Sequence, residues 1–560
     1  MENKKNDSGA EVTAKSAIKN NPPNRRKTFK EIFTFRNISI LFFLISFLIV
    51  GYYIIFPSRG EFHADCTDTI MWAQVIYDTG NIFDADFEYA CLLAFGGQWL
   101  MVPFIAIFGM GMTAQVLGMF TFFILFIVSL YGMLRTMKIS FPWSLTIISV
   151  TILMLSSSKK LREIFWGHII YYSLGMLYAF VGLALIFRMI NIISNEKKPE
   201  NKKNFIITGA LLLIWCILAG ANQLEILTLF LIPAIGALIV ERFFCFEKYK
   251  SKKELLANLI ILGIVVVGTG AGYLLGNVII GDISASYASG SSNLTNTDDW
   301  WEHLSRFFPH LAYLIGMPDT SGTPLLSLDG INALLRIMMS AILIAIPVIT
   351  TILWPKIKNR QIRIFIVFHW IMTFFIMIGY ICGMLSSANW RLSPIVCTSV
   401  IMMAILAQWI WENTDKKRLG VLTMLPLLVL SLWSVKDISA MPKDYNQDSG
   451  LYAVSDYLVE NNLTYGYATF WSANAMTVIS DSKAETRCIR VSDDGICSPN
   501  YYQSRKSWYE DQPDQPNYFL LLSQYEFDCM VNNSNPLLDE PHYQADVDGY
   551  IIMTFEHNIF

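Results

Sequence analysis

A series of long apolar runs, each nearly free of charge, restricts this chain more than any other feature. They cover approximately 38–56, 92–110, 113–134, 142–156, 170–192, 204–219, 224–241, 257–279, 331–354, 362–385, 393–411 and 418–435. A helix of about 20 such residues crosses the hydrocarbon of a bilayer and pairs its own backbone polar groups within it. Only 16% of the residues are charged and 54% are hydrophobic, whereas soluble domains carry about 25% charged residues. The chain reads as mainly α, a polytopic transmembrane helical bundle. A net charge of −3 without any strongly basic domain argues against a nucleic-acid partner. The cysteines form no CxxC pair, which disfavours a zinc ribbon or thioredoxin-like site. Cys488 and Cys497 could pair if their segment lies outside the cytoplasm. A Walker motif is absent, which argues against an ATP-driven pump.

Basic residues set the sidedness. Short loops with Lys197, Lys198, Lys202 and Lys203, with Arg242, Lys248, Lys250, Lys252 and Lys253, with Lys356, Lys358, Arg360 and Arg363, and with Lys416, Lys417 and Arg418 are each separated by two runs. All fall on the cytoplasmic side, as does the polar N-terminus (1–37, read as disordered) with Arg25, Arg26 and Lys27. The run at 38–56 lacks a small-residue cleavage site after it and reads as a retained helix. Only an odd number of crossings fits between Asp65 and Arg135, yet two runs lie there. The first contains Gly96, Gly97, Gln98 and Pro103 and reads as a juxtamembrane or re-entrant helix. About 11 spans remain, within a membrane domain at 38–435 with outer loops at 57–112 and 281–330, in a multi-pass protein of the cell (plasma) membrane whose N-terminus is cytoplasmic.

The tail, 436–560, then lies outside as a small α/β extracytoplasmic domain. Leu451–Glu460 has helical periodicity; Tyr465–Phe470, Thr477–Ile479, Thr486–Val491 and Tyr518–Leu522 read as short strands.

Candidate chemistry sits in the outer loops. Asp65 and Asp68 lie beside Trp72 and apolar neighbours, where desolvation raises a carboxylate's pKa and makes it a better base. Three residues apart on a helix, they could share a divalent metal (Mg or Mn) or an acceptor hydroxyl; the plainer reading is a solvated acidic loop. Lys159, Lys160 and Arg162, followed by Glu163 and His168, break the positive-inside trend. A lipid-linked phosphate would account for them, and so would ordinary headgroups. Arg391, in Asn389-Trp390-Arg391-Leu392-Ser393-Pro394, could fork onto phosphate or simply snorkel. Asn222 and Glu225 mark an outer helix boundary, as a functional pair or a cap. His369 reads as a packing residue.

The order of a basic N-terminus, one helix, an acidic loop with Asp68 and Trp72, Gly80, then Phe87-Glu88-Tyr89 before a juxtamembrane helix resembles the GT-C superfamily of polytopic glycosyltransferases. Thr69 stands where that family usually keeps a second acid, and Phe95-Gly96-Gly97-Gln98 replaces a Pro-Pro-Leu. The resemblance implies a bacterial cell-envelope enzyme with a polyprenyl-phosphate sugar donor and a glycan, lipid or protein acceptor. Asp68 would be the base of an inverting transfer with Asp65 as second choice. Lys159, Lys160, Arg162 and Arg391 would bind the lipid phosphate, and Glu163 or His168 would take the second-loop position. Two other classes remain: a surface-polysaccharide polymerase or ligase, which His303, Arg306 and His310 would serve, and a lipid or solute transporter or flippase. The transporter class fits less well because the distinctive charges lie in outer loops and no half-repeat is evident.

Overall fold

The computed structural model describes residues 34–194, 201–244, 252–283, 285, 293–384, 388–443, 450–512, 515–540 and 543–560. The N-terminal cations, Lys197, Lys198, Lys248 and Lys250 lie outside them. Among the described residues, 10 helices are long and apolar enough to cross a membrane, from Phe35–Ile55 to Lys417–Ser439. Phe141–Met154 and the short Lys159–Gly167 arm, bent 116° from each other, make an eleventh when counted together as one broken span. The bend turns that arm aside, so its cations stay at one end of the bundle. The last long helix runs past the expected end at Val435 to Ser439.

The Gln98–Phe108 helix contains Pro103 and is 11 residues long, about 16 Å. It cannot span, in line with the odd-crossing requirement. At Gly97 an added Cβ would stand 2.2 Å from the Ile169 side chain. Glycine there lets this helix press against the segment that follows the bent arm.

The tail folds as a six-stranded sheet in the order β3-β2-β1-β4-β6-β5, with β1 Tyr465–Thr469, β2 Glu485–Val491, β3 Cys497–Pro499, β4 Tyr518–Ser523, β5 Tyr543–Val547 and β6 Tyr550–Phe555. β2, β1 and β4 run parallel, and the outer strands are antiparallel. Alternation along β1 sends Tyr465 and Tyr467 into one core with Tyr509 and Tyr518, and Ala468 into the other beneath the Gly450–Glu460 and Ala473–Ile479 helices. The expected strand at Thr477–Ile479 is instead the end of the Ala473–Ile479 helix. Thr477, Val478 and Ile479 favour strand intrinsically, yet all seven residues of the helix are buried, and that packing overrides a weak local preference. Cys488 and Cys497 are both free, and Cys497 sits opposite Val491 rather than Cys488.

His303, Arg306 and His310 lie on the amphipathic Thr297–Leu314 helix. His303 Nδ1 meets the Ile381 carbonyl at 2.7 Å, His310 Nδ1 meets the Tyr380 hydroxyl at 2.7 Å, and Arg306 pairs with Glu302. Both histidines dock the insert helix onto the Arg360–Cys382 helix. His369 bonds Thr398 within the bundle at 2.8 Å, a packing histidine.

Candidate functional site

The loop after the Phe35–Ile55 helix tightens into a 3-10 turn, Ala64–Thr67, and then a helix, Asp68–Thr79, that ends in left-handed Gly80 (φ 71°). Asp68 is the first residue of that helix and is 9% exposed. Burial first, and the nearby Asp65 carboxylate second, push its pKa well above the usual carboxylate range, against a smaller opposing pull from His63. The helix N-terminus offsets part of that cost to the anion. Asp65 is only half-buried, and burial raises it too.

The tail domain completes the site. Gln503 Nε2 donates to Asp68 Oδ1 at 2.8 Å, and Trp72 Nε1 donates to Gln503 Oε1 at 2.7 Å. The indole therefore fixes which end of the amide faces Asp68. Gln503 is fully buried and held in the left-handed region (φ 56°), which costs about 1–3 kcal/mol. Its N–H donates to the Glu88 carbonyl at 2.9 Å, and its own carbonyl accepts from Asn474 at 3.0 Å. Alongside, Arg505 reaches Asp84 (3.3 Å) and Asp78 (3.6 Å), and the Ser507 hydroxyl donates to Asp86, strapping sheet domain to loop.

Thr69, in place of a second acid, accepts a hydrogen bond from the Ile169 N–H at 3.1 Å. It binds the acidic loop to the end of the bent arm. Asn222 does similar work: its Oδ1 accepts from the Phe95 N–H at 2.9 Å, a tether between segments rather than a side-chain cap.

A cavity of about 330 Å³ lies beside this loop. Its wall is mostly apolar, including Tyr172, Leu224, Leu229, Phe375 and Ile378, with Glu225 and Arg391 as its charged groups. Cys91 also lines it, and burial, then Glu225, then Asp68 push the Cys91 thiol up. Arg391 sits on the 3-10 turn Asn389–Leu392, half-buried, with one Nη donating to the Gly379 carbonyl at 3.3 Å.

The other expected phosphate ligands are placed differently. Arg162 is 6% exposed and forks onto Glu61, Nε to Oε2 at 3.0 Å and Nη2 to Oε1 at 2.5 Å, while the Tyr53 hydroxyl donates to Oε2 at 2.6 Å. Its donors are committed to a carboxylate. Lys160 pairs with Glu163 at 2.6 Å and lies 4.9 Å over the Trp390 ring, which brings the arm against the Arg391 turn. Burial alone would raise Glu163, but His63, His168 and Lys160 outweigh it and hold it at about 2. His168 is 3% exposed; burial lowers it to about 4, so it is neutral at pH 7. Lys159 is exposed, with no ion pair among the described residues. Arg162→Met strands Glu61, so it should cost about 3–5 kcal/mol of stability. A lowered thermal midpoint in detergent checks this; transfer lost at an unchanged midpoint would instead mean that Arg162 grips substrate.

No set of three His, Cys, Asp or Glu side chains among the described residues converges as a metal ion needs. Asp65 and Asp68 alone do not make a cage, and one Asp68 oxygen is already engaged by Gln503. The described residues of the site do not fit a metal centre.

No protein-family model matches the chain, and no curated protein matches it. Solved structures are similar at low identity. ArnT from Cupriavidus metallidurans in the apo state is 9% identical with a TM-score of 0.49, over 92% of this chain and 97% of that one. The same protein bound to undecaprenyl phosphate is 10% identical, TM-score 0.48, over 91% and 97%. The oligosaccharyltransferase AglB from Archaeoglobus fulgidus, in complex with an inhibitory peptide and a dolichol-phosphate, is 9% identical, TM-score 0.46, over 92% and 74%.

Proposed function

We propose that the chain is a membrane glycosyltransferase that moves a sugar from a polyprenyl-phosphate carrier to an acceptor hydroxyl outside the cytoplasm. One observation carries this reading. A buried carboxyl, Asp68, is oriented by Gln503 from the tail domain, in the same loop that gives Ala90 and Cys91 to an apolar cavity whose cation among the described residues is Arg391.

Each part has a task. The acceptor O–H gives its proton to ionised Asp68 as the oxygen forms a bond to the sugar's anomeric carbon. The bond from that carbon to the phosphate oxygen breaks, and the electron pair leaves on the polyprenyl phosphate. Arg391 meets the developing phosphate charge with two parallel N–H donors. Attack opposite the leaving group inverts the anomeric carbon. The apolar wall takes the first isoprene units.

A desolvated base works only when ionised, so transfer should rise with pH through the raised Asp68 pKa. Gln503 donates to the charged form, and a hydrogen bond to a charged group is worth about 1.5–3 kcal/mol. Gln503→Leu removes it. The acid limb of kcat/KM should move up by about 1–2 pH units, measured with labelled polyprenyl-phosphate sugar in proteoliposomes. An acid limb that stays in place would dissociate Gln503 from the base. Wild-type protein that moves the lipid without making a glycosidic bond would favour the flippase reading instead.

A further inference from the structure

A second cleft, of about 550 Å³, opens at the end of the bundle opposite the sheet domain. The Met112–Thr136 helix fixes that geometry. Its Met112 N–H donates to Asp481 of the sheet domain at 3.1 Å, and 25 residues later the chain is about 37 Å away. Three lysines from two separate segments line the cleft: Lys138 just past that helix, and Lys356 and Lys358 from the turn before the Arg360–Cys382 helix. All three are exposed, and none is in an ion pair among the described residues.

The position of Lys138 is unusual. It stands in the left-handed region (φ 64°) where the helix ends, with the Ile139 N–H donating back to the Leu134 carbonyl at 3.1 Å. Glycine or asparagine usually fills such a position. A lysine there carries backbone strain and places a cation on the cleft. Asn359 fixes the opposite wall: its Nδ2 donates to the Met137 carbonyl at 2.8 Å while its Oδ1 caps the following helix.

The remaining polar groups ask for a donor. Gln408 is 6% exposed, and its Nε2 is taken by Glu412 on the same helix. That bond fixes the amide's orientation and leaves Gln408 Oε1 buried without a partner among the described residues. Glu412 is the carboxylate facing the three lysines across the cleft. Trp409 lines the cleft as well, and an indole suits the headgroup level of a bilayer.

Cations for a phosphate, together with a buried acceptor that needs a hydroxyl, describe one ligand chemistry. The geometry points to a site for a phosphodiester bearing a free hydroxyl, supplied by an anionic glycerophospholipid of the cytoplasmic leaflet: Lys138, Lys356 and Lys358 hold the phosphate, and Gln408 Oε1 accepts from the glycerol hydroxyl. The site is independent of the transferase reading, because it involves none of the outer-loop residues.

Native mass spectrometry of the full chain, released from nanodiscs, tests it with four probes: phosphatidylglycerol, phosphatidic acid, phosphatidylcholine and soluble glycerol 1-phosphate. One retained phosphatidylglycerol per chain is expected, above phosphatidic acid and well above phosphatidylcholine. Replacing the lysines together (Lys138→Ala, Lys356→Ala, Lys358→Ala) should weaken retention by about tenfold or more, and the matching Lys→Arg set should keep it. Gln408→Leu should remove the preference for phosphatidylglycerol over phosphatidic acid. Thermal midpoints of the variants separate a lost site from a lost fold. Equal retention of phosphatidylcholine, or retention unmoved by the alanine set, overturns the site. Displacement by glycerol phosphate as effective as by the lipid overturns the lipid source.

Discussion

Asp68→Asn is expected to lower glycosyl transfer by about 10²–10⁴-fold while raising the thermal midpoint at neutral pH. Asparagine keeps the side chain's shape, and its carbonyl oxygen still accepts from Gln503, so the loop geometry survives. Only the proton acceptor is lost. The stability gain follows from linkage. Asp68 has a folded-state pKa above its unfolded value of about 3.9, so the folded chain binds the proton more tightly. Folding then loses stability as pH rises from the unfolded pKa through the raised folded one. The asparagine variant has no such loss. The two midpoints should coincide at low pH and separate across that window, wild type falling below. A site selected for packing would not retain a residue whose isosteric replacement stabilises the fold. Melts of both proteins from acid to neutral pH, beside single-turnover transfer, check both halves.

Arg391→Ala carries the second large effect. Losing a fixed donor pair aimed at the leaving phosphate costs about 10²–10³-fold in rate. Among the described residues Arg391 donates to a single backbone carbonyl at 3.3 Å, so its removal strands no buried carboxylate there and the thermal midpoint should hardly move. Affinity for free polyprenyl phosphate should fall alongside kcat/KM. Arg391→Lys should recover only part of either, because an ammonium is a point charge without the planar fork. Arg162→Met should behave in the opposite way, with stability lost first. A result that exchanged the two phenotypes would move the phosphate from the Arg391 cavity to the Arg162 arm.

The sequence already showed the bundle and its irregular first loop. Charge-poor runs mark helices because lipid forbids unpaired backbone, and Pro103 and the glycines before it, with the sidedness count, mark the helix that does not cross. Short apolar, β-branched or aromatic runs mark β1, β2 and β4, whose residues are buried almost continuously along each strand. Their parallel order was not legible, since it depends on crossovers between segments that carry no mutual signature. Within the site, Asp68, Trp72 and Gly80 are local, and their spacing shows a helix with an acid at its start. Gln503 is invisible at 435 positions away, because an amide inside the tail has no reason in sequence to point at a membrane loop. The same limit applies to Arg162. Its cation called for an anion, and phosphate was one answer; Glu61, 101 residues earlier, is the anion it meets in the fold.

Single-turnover reaction of the purified chain in proteoliposomes, with a polyprenyl-phosphate sugar labelled at its anomeric carbon, tests the central claim most directly. Polyprenyl phosphate should appear in step with a new glycosidic bond of opposite anomeric configuration, and Asp68→Asn should stop both. Release without a new bond, a product of retained configuration, or transfer that proceeds at the wild-type rate in the asparagine variant would contradict the account.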